Sequence, residues 1–409
     1  MTSSFDLYKK AKSKITCSDE CPELDHVLAF DLVSVIYGTA QLKIRHFALL
    51  FLGYKFSDVQ LKKKGVFSSM GNYGKRKDYY ELWNYVNNQI KPQGLIDFNK
   101  ESRCVVFRLS NFLSAYKAIK WLTEDLSWKS WLFLYVKTVF FLNVWSLLQN
   151  HKEVSVKSYL AFSSIHGLEA LLTSCFKLRG VSTFSLQHGL YHIYKKEVPL
   201  DAISYENFIS DYHFCWGQYT KDEFNEYGIE ASRMIVGGYP RSVNRGSKPD
   251  TLDLSNCVVL LARANYNGSN LRLLKMLSDN LGKELNISLK LHPTLNLAEY
   301  ELLAEKYGFE IIENDYTILE TLSPDKYGFS ISVNTAAYYE SYIYYVPSLR
   351  YKDETFELGI DIDQDVFQSS EDLLFQVQRL KGLEPVTYWV ERDKSLEYVI
   401  GLGLNNYEV

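Results

Sequence analysis

The chain has 409 residues, of which 46% are hydrophobic and 23% are charged, and its formal net charge is -4. This length exceeds what one ordinary hydrophobic core spans, so we expect two domains of a folded protein. The slightly acidic balance, with no long basic block to offset it, argues against a general nucleic-acid-binding protein.

The six cysteines are scattered, and most of them lie in apolar surroundings, as buried free thiols usually do. Cys17 and Cys21 are close in sequence, but no second pair of Cys or His follows at the spacing of a zinc site. Residues 1–14 are polar and lack the apolar segment of a secretory signal. These features predict free thiols in a reducing compartment and a cytoplasmic protein.

Apolar and glycine-rich segments alternate in the first part of the chain. Residues 26–36 are rich in β-branched side chains and predict a first strand, and residues 104–109 predict another. Between them, residues 61–77 combine consecutive lysines with several glycines. This composition predicts a flexible basic loop, for which a solvated loop is the favoured interpretation and contact with an anionic acceptor is the alternative.

Residues 128–148 form an apolar segment that approaches the length of a membrane span. Lys137 and Asn143 interrupt it and tryptophans flank it, so a helix packed within the N-terminal domain is the favoured interpretation. A helix lying on the membrane surface is the second interpretation, and it predicts peripheral contact with the cytoplasmic face of the inner membrane. A membrane-spanning helix is the least favoured.

From residue 158 onwards, strand-like and helix-like segments alternate at short, regular intervals. The predicted strands are 159–162, 181–186, 212–217, 234–241 (which breaks on glycines), 258–262, 287–291, 309–312 and 329–333. The predicted helices are 166–179, 220–227, 271–281, 299–307, 316–322, 336–344 and 371–396. Such alternation predicts right-handed βαβ units on parallel sheets.

The polar segment 242–255 predicts a linker between two domains. We therefore expect an N-terminal, acceptor-side domain at 1–241, with a helical insertion at about 110–150. A C-terminal, nucleotide-binding domain is expected at 256–370, followed by helices at 371–409 that cross back to the first domain. Ligands of parallel sheets bind beyond the carboxyl ends of the strands, so polar residues at those ends are the candidate site residues.

Two histidines each follow a predicted strand at such an end. His188 lies between Gln187 and Gly189, and His292 precedes Pro293. A histidine in this position can take a proton from an acceptor hydroxyl or donate a hydrogen bond to a phosphate. The alternative for each is a turn histidine that is hydrogen-bonded to the backbone.

A third polar signal follows the predicted strand 329–333. Ser332, Asn334 and Thr335 stand where a helix begins, and free N–H groups there favour an anion. Simple capping of the helix is the alternative and is compatible with anion binding. Glu340 could accept the hydroxyls of a ribose or could be a solvated helix residue, and Arg263 could reach a phosphate.

The sequence offers little support for a metal site. Asp361 and Asp363 fit the Asp-x-Asp pattern but lie in a loop-like acidic stretch, so we do not favour them as ligands. The sequence contains no Walker loop, dinucleotide-binding glycine motif, zinc-protease motif or hydrolase nucleophile motif. We therefore expect an enzyme that uses neither a cofactor nor an essential metal ion.

Short motifs within residues 155–345 resemble those of bacterial GT-B glycosyltransferases of capsule, lipopolysaccharide and wall-polymer assembly. That group includes capsule sialyl- and Kdo-transferases and CDP-glycerol glycerophosphotransferases. The motifs are Gln187-His188-Gly189, Gly237-Gly238-Tyr239-Pro240-Arg241, His292-Pro293, and Ser332 to Thr335 with Glu340. The resemblance implies an α/β fold of GT-B type, in which two Rossmann-like domains face a central cleft with their parallel sheets.

The resemblance also implies roles for particular residues. His188 matches the proposed base of the glycerophosphotransferases, with Gln187 beside it. His292 matches the histidine that holds the phosphate of a cytidine nucleotide, and Ser332 to Thr335 match the phosphate loop. The chain lacks the Trp that precedes the His-Gly pair there, their Asp-Tyr-Ser-Ser run, and the acidic base motif of the sialyltransferases. These differences leave the donor and the base open.

The preferred function is a metal-independent glycosyltransferase. It would transfer a sugar from a nucleotide-sugar donor, with a CMP-sugar preferred, to a glycan or lipid-linked glycan acceptor of a growing capsule or O-antigen. Three alternatives remain open: a CDP-linked polyol-phosphate transferase, a nucleotide-sugar epimerase, and a catalytically inactive GT-B scaffold that binds glycan. The epimerase would need several carboxylates facing the sugar, and no such cluster accompanies the histidines in the sequence.

Overall fold

The computed structural model describes residues 4–17, 23–56, 61–62, 64–73, 76–151, 155–190, 206–282, 284–313, 318–333, 336–352 and 365–409. The strands in this part of the chain are β1 Leu52–Tyr54, β2 Gly65–Met70, β3 Gly94–Asp97, β4 Arg103–Val105, β5 Val156–Ala161, β6 Ser182–Leu186, β7 Tyr212–Cys215, β8 Met234–Val236, β9 Asn256–Leu260, β10 Asn286–Lys290, β11 Glu310–Ile312, β12 Phe329–Ser332, β13 Ser348–Tyr351 and β14 Val366–Phe367.

The α-helices of the same residues are α1 Ser4–Ser13, α2 Leu24–Val27, α3 Ala29–Ile36, α4 Lys77–Ile90, α5 Leu109–Ile119, α6 Trp128–Gln149, α7 Gly167–Lys177, α8 Gln218–Glu226, α9 Asn267–Asn280, α10 Leu297–Tyr307, α11 Ile318–Thr321, α12 Ala337–Ile343, α13 Ser370–Lys381 and α14 Pro385–Ile400. Short 3₁₀ helices cover Ile44–Phe51, Lys120–Glu124, Ala231–Arg233 and Ala264–Tyr266.

Two six-stranded sheets form the framework, and all neighbouring strands within each are parallel. The first has the order β3-β2-β5-β6-β7-β8, and the second has the order β11-β10-β9-β12-β13-β14. A small antiparallel pair, β1 and β4, lies outside them. The prediction of an α/β fold with two parallel sheets is therefore confirmed.

The order of strands reverses once in each sheet. The chain moves outward from β2 to β3 and then returns to the other side at β5, so the switch lies between β2 and β5. In the second sheet the corresponding switch lies between β9 and β12. Crevices at the carboxyl ends of strands beside a switch are the usual ligand sites of such sheets.

The strands and helices predicted after residue 158 are confirmed, with boundaries that differ by a few residues, except that the single helix predicted at 371–396 is two helices, α13 and α14, the second of which begins at Pro385. Their continuous apolar character follows from burial on both faces of a parallel sheet. Leu160, Leu289 and Ile331, for example, are fully buried in three different strands. Gly180, which follows α7, has a φ of +70 degrees, the left-handed conformation that commonly ends a helix.

The prediction of a strand at residues 26–36 was wrong, because this segment forms the helices α2 and α3. The run is apolar over nearly its whole length, so periodicity does not distinguish the two structures. Helix α3 packs against α1, α6 and α7. Within this packing the Asp31 carboxylate pairs with the Lys137 ammonium at 3.0 Å, which accommodates the lysine that interrupts α6.

The prediction of a loop at residues 61–77 was also wrong, because its middle part is β2, a strand inside the first sheet. The strand was not predicted because it contains small polar residues, which are typical of loops. Ser68 and Ser69 are fully buried, and both are hydrogen-bonded: Trp83 donates to the Ser68 hydroxyl at 2.9 Å, and Ser69 donates to the Glu169 carboxylate at 2.7 Å. Buried hydroxyls with partners are compatible with a central strand.

Helix α6 is the predicted helix at 128–148, and by length and composition it could cross a membrane. However, 67% of its most apolar segment is buried inside the protein. The core helices of soluble proteins can have the same length and apolar composition. Its Asn143 side chain donates to the carbonyl oxygens of Leu50 and Leu52 at 3.1 and 3.3 Å. The helix therefore serves as a packed support for neighbouring segments.

The C-terminal helix α14 contacts both halves of the molecule. It packs against α8, which follows β7 of the first sheet, and against α12, which follows β12 of the second. The Tyr398 hydroxyl donates to Asp222 at 2.8 Å, and the Tyr407 hydroxyl donates to the carbonyl oxygen of Gly238 at 2.6 Å. These contacts join the end of the chain to the first sheet.

Candidate active site

The carboxyl ends of strands from both sheets deliver the polar residues of one site. Residues that follow β2 and β6 come from the first sheet, and residues that follow β9, β10 and β12 come from the second. Among them, the charges of Arg76 and Arg263 act on both His188 and His292, so these four residues lie close together. The ends of β2, β9 and β12 are also the ends beside the two switch points.

His188 follows β6 and lies in an aromatic surrounding. Its ring centroid is 5.4 Å from those of Tyr79 and Phe162 and 6.2 Å from that of His166. Burial and the charge of Arg76 lower the pKa of His188 to about 4. Its hydrogen bond to the backbone of Leu186 acts in the opposite direction and raises the pKa, but by less. A neutral imidazole that donates from one nitrogen can accept a proton at the other.

Sequence reasoning missed a group of residues that follows β2. Arg76 precedes α4, its guanidinium pairs with the Asp78 carboxylate, and it lies 3.8 Å from the ring centroid of Tyr79. Tyr79 in turn contacts His188 edge-on. A signal was present, since the small residues of Gly-Asn-Tyr-Gly stand in the sequence between β2 and α4, but the strand had not been predicted.

His292 follows β10 and has a defined tautomer. The backbone N–H of Ala264 donates to the Thr294 hydroxyl at 3.0 Å, and this hydroxyl lies 2.9 Å from Nδ1 of His292. The backbone N–H of Thr294 also donates to Nδ1, at 3.2 Å. Because Nδ1 accepts these bonds, the proton of the neutral ring is on Nε2, which is a donor suited to a phosphate oxygen.

The charges of both halves act on the same two histidines. Burial, followed by the charges of Arg76 and Arg263, lowers the pKa of His292 to about 4. The same two arginines lower the pKa of His188. Arg76 belongs to the first half and Arg263 to the second, so the structure brings His188, His292 and Arg263 together with Arg76.

Arg241, the last residue of the Gly-Gly-Tyr-Pro-Arg motif, adds a third arginine. Its side chain is only 11% exposed and lies 3.9 Å from the Glu81 carboxylate. Its Nε is buried, with no hydrogen-bond partner among the described residues. A buried guanidinium with an unused N–H is a suitable ligand for a phosphate or a carboxylate.

Glu340 is placed between the two halves. The Tyr239 hydroxyl donates to its carboxylate at 2.7 Å, and the side chain is 8% exposed. The predicted role in holding ribose hydroxyls stays a prediction. In the structure, Glu340 joins the Gly-Gly-Tyr-Pro-Arg segment of the first half to α12 of the second.

Ser332 ends β12, and its buried hydroxyl has no hydrogen-bond partner within the described part of the chain. Asn334 and Thr335 lie outside the described residues, as do Asp361 and Asp363. The helix that follows, α12, has 7 residues. Pro293 is exposed beside His292, and its ring restricts the direction of the backbone there; its predicted part in donor binding stays a prediction.

Gln187 has a structural position. Its amide donates to the carbonyl oxygen of Gly189 at 2.8 Å and to the Thr220 hydroxyl at 3.1 Å, and its oxygen accepts from the Trp216 N–H at 2.7 Å. The side chain is 1% exposed. The amide is thus engaged by the protein itself, and we assign Gln187 to positioning the turn that carries His188 rather than to catalysis.

Glu169, at the start of α7, is a further titratable group on this side of the molecule. Burial raises its pKa to about 7, although four hydrogen bonds oppose this shift. They come from the side chains of Tyr73 and Ser69 and from the backbone N–H groups of Phe162 and Ser163. A carboxyl held in this way can keep a proton near neutral pH.

The chain is similar in overall arrangement to several solved structures. A lipopolysaccharide outer core galactosyltransferase is 13% identical, with 82% of this chain and 94% of that chain covered and a TM-score of 0.47. A UDP-N-acetylglucosamine 2-epimerase from Rickettsia bellii is 13% identical, covering 83% and 96% of the two chains, with a TM-score of 0.45. A variant of the wall teichoic acid polymerase TagF, soaked with CDPG, is 12% identical, covering 94% and 90%, with a TM-score of 0.45.

These structures include enzymes of lipopolysaccharide and wall teichoic acid assembly, the class of protein whose motifs the sequence resembles. No family model matches the chain, and no curated protein matches it. The activity must therefore be inferred from the residues of the site.

Proposed function

We propose that this chain is a GT-B glycosyltransferase of bacterial surface polysaccharide assembly, and that its donor is a nucleotide-sugar, with a CMP-sugar preferred. The acceptor is a glycan or a lipid-linked glycan of a growing capsule or O-antigen. The observation that carries this proposal is the convergence of Arg76, Arg263 and two neutral histidines from both sheets.

An anion is the ligand that this convergence fits best. The guanidinium groups of Arg76 and Arg263 lie near enough to lower the pKa of both histidines, so their positive field is concentrated between the halves. Nε2 of His292 and the unused Nε–H of Arg241 add directional donors. A nucleotide phosphate, which becomes more negative as it leaves the sugar, would be stabilised by such preorganised donors.

The proposed reaction is a substitution at the anomeric carbon of the donor sugar. The acceptor oxygen forms the new glycosidic bond, the bond from the anomeric carbon to the phosphate oxygen breaks, and its electron pair leaves with the nucleotide. His188, neutral and on the acceptor side, takes the proton from the acceptor hydroxyl. His292 and the arginines hold the departing phosphate.

The same site would serve a CDP-linked polyol-phosphate transferase, because the leaving nucleotide phosphate is again the group to be held. The epimerase alternative gains nothing from the described carboxylates. Asp78 is paired with Arg76, Glu169 is fully buried, and Glu340 accepts from Tyr239. The glycosyltransferase remains the preferred function.

A donor screen tests the proposal. Purified protein is mixed with CMP-, UDP-, GDP- and TDP-sugars and with CDP-glycerol, and both thermal stabilisation and slow donor hydrolysis are measured. We expect one nucleotide class to stabilise the protein and to be hydrolysed to the free nucleotide. Stabilisation by CDP-glycerol alone would select the polyol-phosphate alternative, and binding without turnover in the presence of acceptor oligosaccharides would select the inactive scaffold.

A further inference from the structure

One face of the first half displays large apolar side chains to solvent. Ile44 is 90% exposed, Val105 82%, Phe107 67%, Leu109 66% and Leu113 58%. We call these five residues, together with Phe51, the apolar patch. Its members lie on the 3₁₀ helix Ile44–Phe51, at the end of β4 and on the outer side of α5.

The aromatic part of the patch is continuous. The rings of Phe51 and Phe107 are stacked with centroids 6.1 Å apart, and both contact the ring of Phe112 at 6.1 and 5.9 Å. The 3₁₀ helix Ile44–Phe51 contributes no buried residue to the core at all. A contiguous apolar surface of this kind marks an interaction site in soluble proteins.

The patch is also held firmly, so its exposure does not reflect loose packing. The buried Asn143 of α6 donates to the carbonyl oxygens of Leu50 and Leu52, and Asn111 of α5 donates to the Asn143 side-chain oxygen at 2.8 Å. The patch segments are therefore fixed to one buried amide. Their exposed side chains form a defined surface.

The segments that carry the patch are rich in lysine and arginine, which we call its basic rim. Residues 40–56 and 103–129 contain Lys43, Arg45, Lys55, Arg103, Arg108, Lys117, Lys120 and Lys129. The only acidic residues of these two segments are Glu124 and Asp125. Both of these are occupied, because Lys14 pairs with each of them at 2.7 Å and Lys10 pairs with Asp125 at 2.6 Å.

We propose that the apolar patch and its basic rim bind the surface of an anionic lipid bilayer. Exposed aliphatic and aromatic side chains would enter the boundary between headgroups and acyl chains, and the lysines and arginines would contact anionic headgroups. Trp121 and Trp128, 50% and 67% exposed, lie beside Lys120 and Lys129. Tryptophan with lysine is the composition typical of a membrane interface.

Charge favours a bilayer over a second copy of this chain. A twofold dimer through the patch would bring two basic rims against each other, and like charges across an interface oppose association. An anionic bilayer offers the opposite charge. The contact overlaps the one expected at 128–148 in the first turn of that helix, where Trp128 and Lys129 lie, but most of the helix is buried and its neighbours carry the patch.

Vesicle binding tests the inference without requiring any catalytic activity. The full chain is sedimented with vesicles of phosphatidylcholine alone and with vesicles of phosphatidylcholine and phosphatidylglycerol in equal parts. The test variant combines Ile44→Ser, Phe107→Ser and Leu113→Ser. The matched control combines Leu302→Ser, Phe375→Ser and Val386→Ser in the second half, which are 69%, 67% and 69% exposed.

We expect binding to the anionic vesicles only, a loss of about ten-fold or more in the patch variant, and no change in the control variant. Lys117→Gln, Lys120→Gln and Lys129→Gln together should weaken binding by up to about a hundred-fold, at roughly five-fold for each cation at the bilayer surface. Equal binding of the patch and control variants would overturn the inference. So would a wild-type dimer in sedimentation analysis that the patch substitutions dissociate.

Discussion

His188 and His292 have nearly the same pKa but different partners. Both rings are neutral at neutral pH, because burial and the charge of Arg76 lower each pKa to about 4. Nδ1 of His292 is occupied by Thr294, so His292 can only donate towards the cleft. His188 donates to the backbone of Leu186 and is thus the residue of the pair that can accept a proton.

His188→Ala should therefore lower kcat by about 10²-fold or more, while nucleotide affinity and the thermal midpoint stay near those of the wild type. Single-turnover kinetics and calorimetry with the donor nucleotide measure the two effects separately. A variant that melts early but turns over normally when folded would make His188 a structural residue. Loss of nucleotide affinity instead would make it a phosphate ligand and leave Glu169 as a candidate base.

The raised pKa of Glu169 predicts that the stability of the protein depends on pH. Its folded pKa, about 7, lies above the ordinary value of 4.5, so the folded protein keeps a proton that the unfolded chain releases. Between these two values, stability must fall as pH rises, by about 3 kcal/mol in total for a fully buried carboxyl. Below pH 4.5 the contribution is fully present, and above pH 7 it is lost.

Urea unfolding of the wild type and of Glu169→Gln across this pH range measures the effect. The variant cannot titrate at this position, so its stability should change less between pH 5 and pH 8, the interval that brackets the folded pKa. Parallel curves for the two proteins would show that Glu169 is already ionised in the folded state.

The sequence was sufficient to select His188, His292, Arg263 and Ser332 as candidate site residues, because each lies at or just after the carboxyl end of a predicted strand. It could not reveal Arg76, because its strand is built from small polar residues. It also could not show that the Gln187 amide is consumed by Trp216 and Thr220, which are distant in sequence. Hydrogen-bond partners of this kind are set by tertiary packing.

At the scale of elements, the docking of α14 depends on a close approach at Gly217, the residue before α8. A Cβ added to Gly217 would lie 2.3 Å from the carbonyl oxygen of Tyr398 and 2.6 Å from that of Val399. The φ of Gly217 is -124 degrees, which any residue adopts, so the obstacle is steric rather than conformational. The backbones of α8 and α14 approach each other too closely for any other side chain.

Gly217→Ala should lower stability by about 1–3 kcal/mol, because the backbone of α14 must move. Thermal unfolding measures this change. The matched control is Gly268→Ala in α9, where the nearest atom to the added Cβ is the end of the Arg272 side chain at 3.5 Å. The control should be neutral or stabilising, since alanine favours a helix over glycine. A wild-type midpoint for Gly217→Ala would mean that α14 is not docked as described.

Elements whose hydrophobic pattern matches their surroundings in the fold were predicted correctly. Elements whose pattern fits both a strand and a helix were not. Strands β9, β10 and β12 are apolar because helices cover both faces of their sheet. The resulting short apolar runs between polar segments predict buried strands. Residues 26–36 are equally apolar but form a helix that is buried among three others. Whether such an apolar segment becomes a strand or a helix depends on the elements that pack against it. Its own sequence does not contain that information.

At the scale of the whole molecule, the two halves meet through polar contacts. Tyr239 and Glu340 pair across them, Lys77 pairs with Glu320 at 2.8 Å, and Arg245 donates to the carbonyl oxygen of Ile343 at 3.1 Å. The positive charge of Arg76, Arg241 and Arg263 lies in the same region. These side chains could neutralise a nucleotide phosphate where other enzymes use a divalent ion.

Activity should accordingly survive chelation. Initial rates with the donor identified in the screen are compared before and after treatment with EDTA, and again after addition of Mg²⁺ or Mn²⁺. We expect rates to change by less than about two-fold, because the site supplies its own cations. Complete loss that is restored by a divalent ion would contradict metal independence and would return Asp361 and Asp363 to consideration.

The central claim is that both halves hold the same nucleotide phosphate. A double-mutant cycle on nucleotide affinity tests it most directly, with Arg76→Gln from the first half, Arg263→Gln from the second, and the double variant, all measured by calorimetry. Each single change should weaken binding by about ten- to a hundred-fold, and the pair should be non-additive by about 0.5 kcal/mol or more. Additive effects, or unchanged affinity in either single variant, would show that the two arginines do not share a ligand.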